Sequence, residues 1–220
     1  MTDAPKPQRP VSLGPLESEV LDLLGRDSRA ANIILGGGIA LKHYVDLRPT
    51  HYIDAWWSEN ADQSSLDAIE SVLSTVAARH GLSLRRRMTR ASEMQSFDLQ
   101  RDSQTLFSFQ VVTRDIQLHI PSQSSWGALK LESLADTLGS KMTALVARGA
   151  PRDFLDVKAV CDYGISTAKV LCELWEKKNP GESAATAKRE VLRHLYAIEL
   201  RTPLTELSPE ERERRAEARL

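Results

Sequence analysis

Asn32-Ile33-Ile34-Leu35-Gly36-Gly37-Gly38-Ile39-Ala40-Leu41 is the stretch on which the fold turns. A compact apolar run, residues 32 to 35, breaks into three glycines, and the residues from Ile39 to Leu47 then carry Leu41 and Val45 at helical spacing. That is the pattern of a strand, a glycine turn and a helix. Pro49 ends the helix, because the residue before a proline is pushed out of helical geometry. Residues 50 to 58 read as a second strand, with Tyr52, Asp54 and Trp56 on one side and Ile53, Ala55 and Trp57 on the other.

Outward from this unit the pattern stays legible. Upstream, Leu16, Val20, Leu23 and Leu24 recur at helical spacing and stop at Gly25. Residues 1–14 carry three prolines and few apolar groups, which predicts a flexible lead-in. Downstream, residues 65 to 79 carry Leu66, Ile69, Val72, Leu73 and Val76 on one helical face, closed by His80-Gly81. Between Leu82 and Ile120 the segments LSLRRRM, SFDLQ, TLFSFQVV and IQLHI alternate with polar turns and predict an antiparallel run of strands.

After Pro121 the periodicity is helical to the end, over residues 131–148, 152–163, 167–178 and 184–200, with no further strand expected. Ser208, Pro209 and Glu211 form a capping box opening a wholly charged last segment. The expected class is α+β: a mixed sheet with flanking helices over residues 15–125, a helical domain over 126–206, and a charged tail helix over 207–220.

Composition narrows the function. Lys plus Arg number 29 against 30 Asp plus Glu, a formal net charge of -1, so no global field holds a nucleic acid backbone. The two cysteines, Cys161 and Cys172, have no CxxC or histidine partner and read as buried, reduced thiols. No apolar run approaches the ~20 residues that span a bilayer, and the start lacks an apolar h-region, which predicts a cytoplasmic protein with no membrane partner.

Two segments together resemble the signature stretches of AbiEii-type nucleotidyltransferases, toxins of bacterial toxin-antitoxin pairs. The first is Ile34 to Leu41 followed by Arg48-Pro49-Thr50-His51-Tyr52-Ile53-Asp54, against a family pattern of a glycine pair, Ala-Leu, then Arg-x-Ser/Thr-x-Asp-Ile-Asp. The second is Lys141-Met142-Thr143-Ala144-Leu145-Val146-Ala147-Arg148 with Arg152-Asp153-Phe154-Leu155-Asp156, which is similar to Lys-x-x-Ala-Leu-x-x-Arg and Arg-Asp-x-x-Asp. The resemblance implies a nucleotidyltransferase-like sheet, a nucleoside triphosphate ligand with magnesium if the protein is active, an RNA or protein acceptor, and an antitoxin partner. It assigns Asp54 to metal binding and catalysis and Lys141 to catalysis and phosphate. It assigns Gly36, Gly37, Gly38, Arg48, Thr50, Lys141, Arg148, Arg152, Asp153 and Asp156 to nucleotide binding.

The chemistry behind such a pattern is specific. A glycine turn lets backbone N–H groups approach phosphates, while carboxylates on alternate strand positions hold divalent ions that activate the attacking hydroxyl and steady the leaving pyrophosphate. Lys141 and Arg148 fall on one helical face, where they can neutralise phosphate charge.

The chain departs from the pattern at the carboxylates. Tyr52 stands at the first aspartate position, and the third, expected on TLFSFQVV, is taken by Gln110; Asp98 and Asp115 are substitutes in another register, or turn and surface residues. Two readings follow, an active transferase and a non-catalytic relative that keeps the fold as a nucleotide- or protein-binding module.

Several residues carry a plainer alternative. Arg152, Asp153 and Asp156 equally suit a staple between helices. Trp56 and Trp57 suit packing more than base stacking, and Arg85-Arg86-Arg87 with Arg90 suits protection of a sheet edge slightly more than RNA contact.

Overall fold

The computed structural model describes residues 5–45, 51–58, 60–89, 94–114 and 116–201. Helix α1 (Pro15–Leu24) stops at Gly25, and after a short 3-10 turn the chain enters β1 (Ile33–Gly36) and α2 (Gly37–Lys42). The helix thus starts at the second glycine and ends five residues before the expected Leu47. Gly37 has φ +56°, a backbone conformation that a residue without Cβ adopts at no steric cost.

Strand β2 (Tyr52–Trp57) has the expected alternation, with Ile53, Ala55 and Trp57 buried and Tyr52, Asp54 and Trp56 half-buried on the other face. Helix α3 (Gln63–His80) is capped by Asp62, whose side chain accepts from Ser65 N, and ends at Gly81 with φ +62°. β3 (Ser83–Thr89), β4 (Met94–Arg101) and β5 (Gln104–Val112) form an antiparallel meander.

Two expectations about strands are corrected. Residues 116 to 120 do not form a strand, because the backbone N–H groups of Leu118 and His119 donate to the carboxylate of Asp136 at 2.8 and 3.0 Å and are unavailable to a ladder. Strands do return after Pro121, as the two-residue β6 (Ser122–Gln123) and β7 (Lys130–Leu131). The seven-stranded sheet has the order β3-β4-β5-β2-β1-β7-β6. It is mixed, since β2 runs parallel to β5 and β1 parallel to β7.

One face of the sheet is the apolar core, where Ile33, Leu35, Ile53, Phe97, Phe107 and Phe109 pack with Leu21 and Leu24 of α1 and Ile69 and Leu73 of α3. The other face is polar and carries the site. The lead-in touches this body: Gln8 N donates to His43 O at 2.8 Å, Arg9 pairs with Asp22 at 2.5 Å, and Lys42 Nζ donates to Ser12 Oγ at 2.8 Å.

The rest of the described chain is helical: α4 (Leu134–Arg148), α5 (Pro151–Asp162), α6 (Ala168–Lys178) and α7 (Ala184–Arg201). The expected start of α4 at Leu131 moves to Leu134 because Leu131 belongs to β7 and Ser133 takes the capping position, its Oγ accepting from Asp136 N at 3.0 Å. The chain packs as two units whose division falls within α4, between Thr137 and Leu138. In the helical unit Leu138, Leu145, Val160, Leu171 and Trp175 are buried. The last segment, residues 202–220, lies outside the described residues.

Candidate functional site

Register places the decisive residues. Asp54 in β2 lies directly opposite Gly36 of β1 on one side and Gln110 of β5 on the other, while Tyr52 pairs with Ser108. Side chains two apart on a strand share a face, so Tyr52, Asp54, Ser108 and Gln110 meet on the polar side of the sheet at the glycine turn. The sequence alignment of residues 52, 54 and 110 is therefore also a spatial grouping.

The glycines are explained by what lies on them. A Cβ on Gly37 would collide with the Asp54 carboxylate, and one on Gly36 would collide with the Trp56 indole nitrogen. The turn is glycine because Asp54 and Trp56 are seated on its backbone. Arg48 and Thr50 lie outside the described residues, as do Asp115 and Arg90.

Other buried carboxylates of this unit, Asp98 on the same face among them, already have partners. Asp98 is 1% exposed in β4, not a turn or surface residue; its Oδ1 accepts from Ser108 Oγ at 2.6 Å and its Oδ2 faces Arg87 Nη2 at 2.6 Å. Glu132, 1% exposed, pairs with Arg114 and accepts from Thr137 Oγ1 at 3.4 Å. Asp136, fully buried, has Arg114 at 3.9 Å and accepts from Ser133 Oγ at 2.6 Å besides the two backbone amides of residues 118 and 119. The Arg114 guanidinium lies 4.2 Å over the Trp56 ring. Burial, and then the nearby Glu132 charge, push the Tyr44 phenol above its ordinary value.

Magnesium asks for an octahedral oxygen shell in which carboxylates supply the charge, and a two-metal centre needs several of them. The glycine turn offers one carboxylate, one amide and one phenol, and no three His, Cys, Asp or Glu side chains converge among the described residues. The donor set does not fit a two-metal centre.

The second motif forms its own network in the helical unit. Lys141 Nζ donates to Asp156 Oδ2 at 2.7 Å, with both residues buried, and Arg148 holds Asp153 through two bonds of 2.7 and 2.8 Å. Lys141 and Arg148, two turns apart on α4, reach Asp156 and Asp153, one turn apart on α5, so the motif ties the two helices together. The nucleotide-binding roles assigned to Lys141, Arg148, Asp153 and Asp156 thus fall on residues already paired in charge. Arg152 is exposed at the start of α5.

Arg114 and Glu132 are the residues that motif reading missed. Neither sits in a recognisable pattern, and only the fold brings them beside Trp56. Trp57 lies in the apolar core, and the triple arginine occupies the edge strand β3. The two cysteines are free and part-buried, with their thiols pushed up by burial, which suits inert positions. Among the described residues no helix is long and apolar enough to cross a membrane.

Comparison with known proteins comes from two sides. The profile of a family described as nucleotidyl transferase AbiEii toxin, Type IV TA system, matches residues 20–219. Among solved structures, the Megavirus polyadenylate synthase is similar at a TM-score of 0.41 and 8% identity, over 98% of this chain and 51% of that one. The chain spans about half the length of that structure. No curated protein sequence matches.

Proposed function

Because the chain belongs to the AbiEii nucleotidyltransferase toxin family, we propose that it is a member that has lost nucleotidyl transfer and keeps the fold as a binding module, with a nucleoside triphosphate as the ligand. The observation that carries this reading is the pairing of Asp54 with Gln110 beside Tyr52, where transfer needs three carboxylates. A single carboxylate on the glycine turn has a further consequence. Without a divalent ion it repels a phosphate at the same turn, and that repulsion is largely unscreened at contact distance.

The two readings therefore predict opposite effects of one substitution. In a metal-dependent transferase Asp54→Asn removes a ligand and abolishes magnesium-dependent binding. In the module, the same change removes a repulsion and tightens triphosphate binding. Calorimetry with each of the four common triphosphates, with magnesium and with chelator, measures this on wild type and variant. Magnesium is expected to leave wild-type affinity unchanged within about twofold, since one carboxylate adds little to an ion that retains its waters. A large magnesium-dependent gain that Asp54→Asn abolishes returns the chain to the transferases.

The second reading, an active transferase acting on an RNA or protein acceptor with an antitoxin as partner, is favoured by the intact motif from Lys141 to Asp156. It gives Lys141 to the phosphates. Labelled triphosphate with magnesium and candidate acceptors tests it, and transfer of label decides in its favour.

A further inference from the structure

The Trp56 indole is held in an arrangement that stability alone does not select. Its N–H is buried against Gly36 and finds no acceptor among the described residues. Over its ring lies the Arg114 guanidinium, at 4.2 Å, a stacking distance. Arg114 is itself nearly covered, with 11% of its side chain exposed, and is anchored by the Glu132 carboxylate with Asp136 behind it.

Glu132 in turn is bonded to the same strand, its N–H donating to Leu35 O at 3.0 Å. The sequence of contacts thus begins and ends on β1: from the backbone beside Gly36, through Glu132, Arg114 and Trp56, back onto Gly36 itself. The neighbouring Gly37 is pressed by Asp54 in the same way.

We propose that Arg114 is a positioning residue of the nucleotide site, which fixes the direction of the glycine-turn N–H groups by holding the Nε1 edge of Trp56 against Gly36. The proposal rests on the binding reading above. Arginine is required rather than a general cation because two properties act together: charge toward Glu132 and a planar face toward the indole. Lysine supplies the first and not the second.

That difference makes the test. Arg114→Lys is expected to keep the melting temperature close to wild type, through the retained pair with Glu132, while weakening triphosphate binding about tenfold, the worth of roughly one well-made hydrogen bond. Trp56→Phe, which keeps a ring under the guanidinium, is expected to retain most of the affinity. Amide spectra of the ligand-free protein supply an independent readout: the Gly36, Gly37 and Gly38 N–H resonances and the Trp56 indole N–H should move together in Arg114→Lys.

Wild-type affinity in Arg114→Lys overturns the proposal. So does a loss of affinity that merely follows a loss of melting temperature, which marks Arg114 as a structural residue. If wild type binds none of the triphosphates, the binding reading falls, and the amide spectra still decide the clamp: glycine resonances unmoved by Arg114→Lys overturn it.

Discussion

At the scale of single residues, burial of a titratable group has a measurable cost that can be read from His43. It is 3% exposed, its Nδ1 bonds Ile39 O at 2.9 Å, and its ring meets Trp126 edge-on at 5.2 Å, with Arg9 and Lys42 as the cations of the surrounding segments. Burial holds the imidazole below its ordinary value near 6.5. The unfolded chain therefore takes up a proton before the folded one does. Stability from the neutral ring is present above pH 6.5 and is lost as pH falls toward the depressed folded value. Thermal melts between about pH 7 and pH 5 should fall more steeply for wild type than for His43→Gln, which cannot titrate. Equal slopes would mean that His43 is not held neutral. Sequence pattern does not show the strap of residues 8 to 12 beside it, because Gln8 meets His43 through a backbone bond.

At the scale of elements, local pattern was enough for most helices and strands, and failed at 116 to 120 where a distant side chain intervened. The alternation of residues 52 to 57 and the stop at Gly81 are local facts and were legible. The segment 116 to 120 alternates like a strand, yet its amides belong to Asp136, a partner 17 and 18 residues away. The Lys141 helix shows the same limit. Its face was legible, and so was a staple by Asp153 and Asp156, but not which basic residue each of them holds. Because Lys141 and Asp156 are both buried, Lys141→Ala breaks a buried ion pair from one side, which costs about 3 to 5 kcal/mol. Leu145→Ala, deleting a side chain that is 2% exposed on the same helix, costs about 2 to 5 kcal/mol by cavity formation. The two losses should be similar in denaturant melts. The double change Lys141→Ala with Asp156→Ala should recover part of the first loss and none of the second, since it removes both sides of the buried pair. A Lys141→Ala variant as stable as wild type would show the lysine free to serve a ligand instead.

At the scale of the molecule, the proposed loss of transfer raises the question whether three positions on an otherwise competent sheet account for it. The register answers part of it: residues 52, 54 and 110 share one face, with 54 and 110 paired directly. Sequence comparison could align these positions but not show that they converge, because the parallel pairing of β2 with β5 joins strands separated by α3, β3 and β4. The double change Tyr52→Asp with Gln110→Asp should therefore bring three carboxylates together. In chelator, three crowded negative charges repel, and the variant should melt below wild type. Magnesium or manganese should reverse that loss, because an ion that binds only the folded chain adds RT ln(1 + [L]/Kd), about 2.7 kcal/mol at a hundredfold excess over Kd. Wild type, with Asp54 as the one carboxylate of the three positions, should show no comparable metal-dependent rise. Arg114 adds a condition. If its hold on Trp56 shapes the turn, the metal response of the restored protein should weaken when Arg114→Lys is added, although neither residue reaches the ion. A restored variant that melts alike in chelator and in metal would mean that the side chains diverge despite their shared face. On the proposed reading, the loss of transfer would then lie deeper in the fold than these three positions.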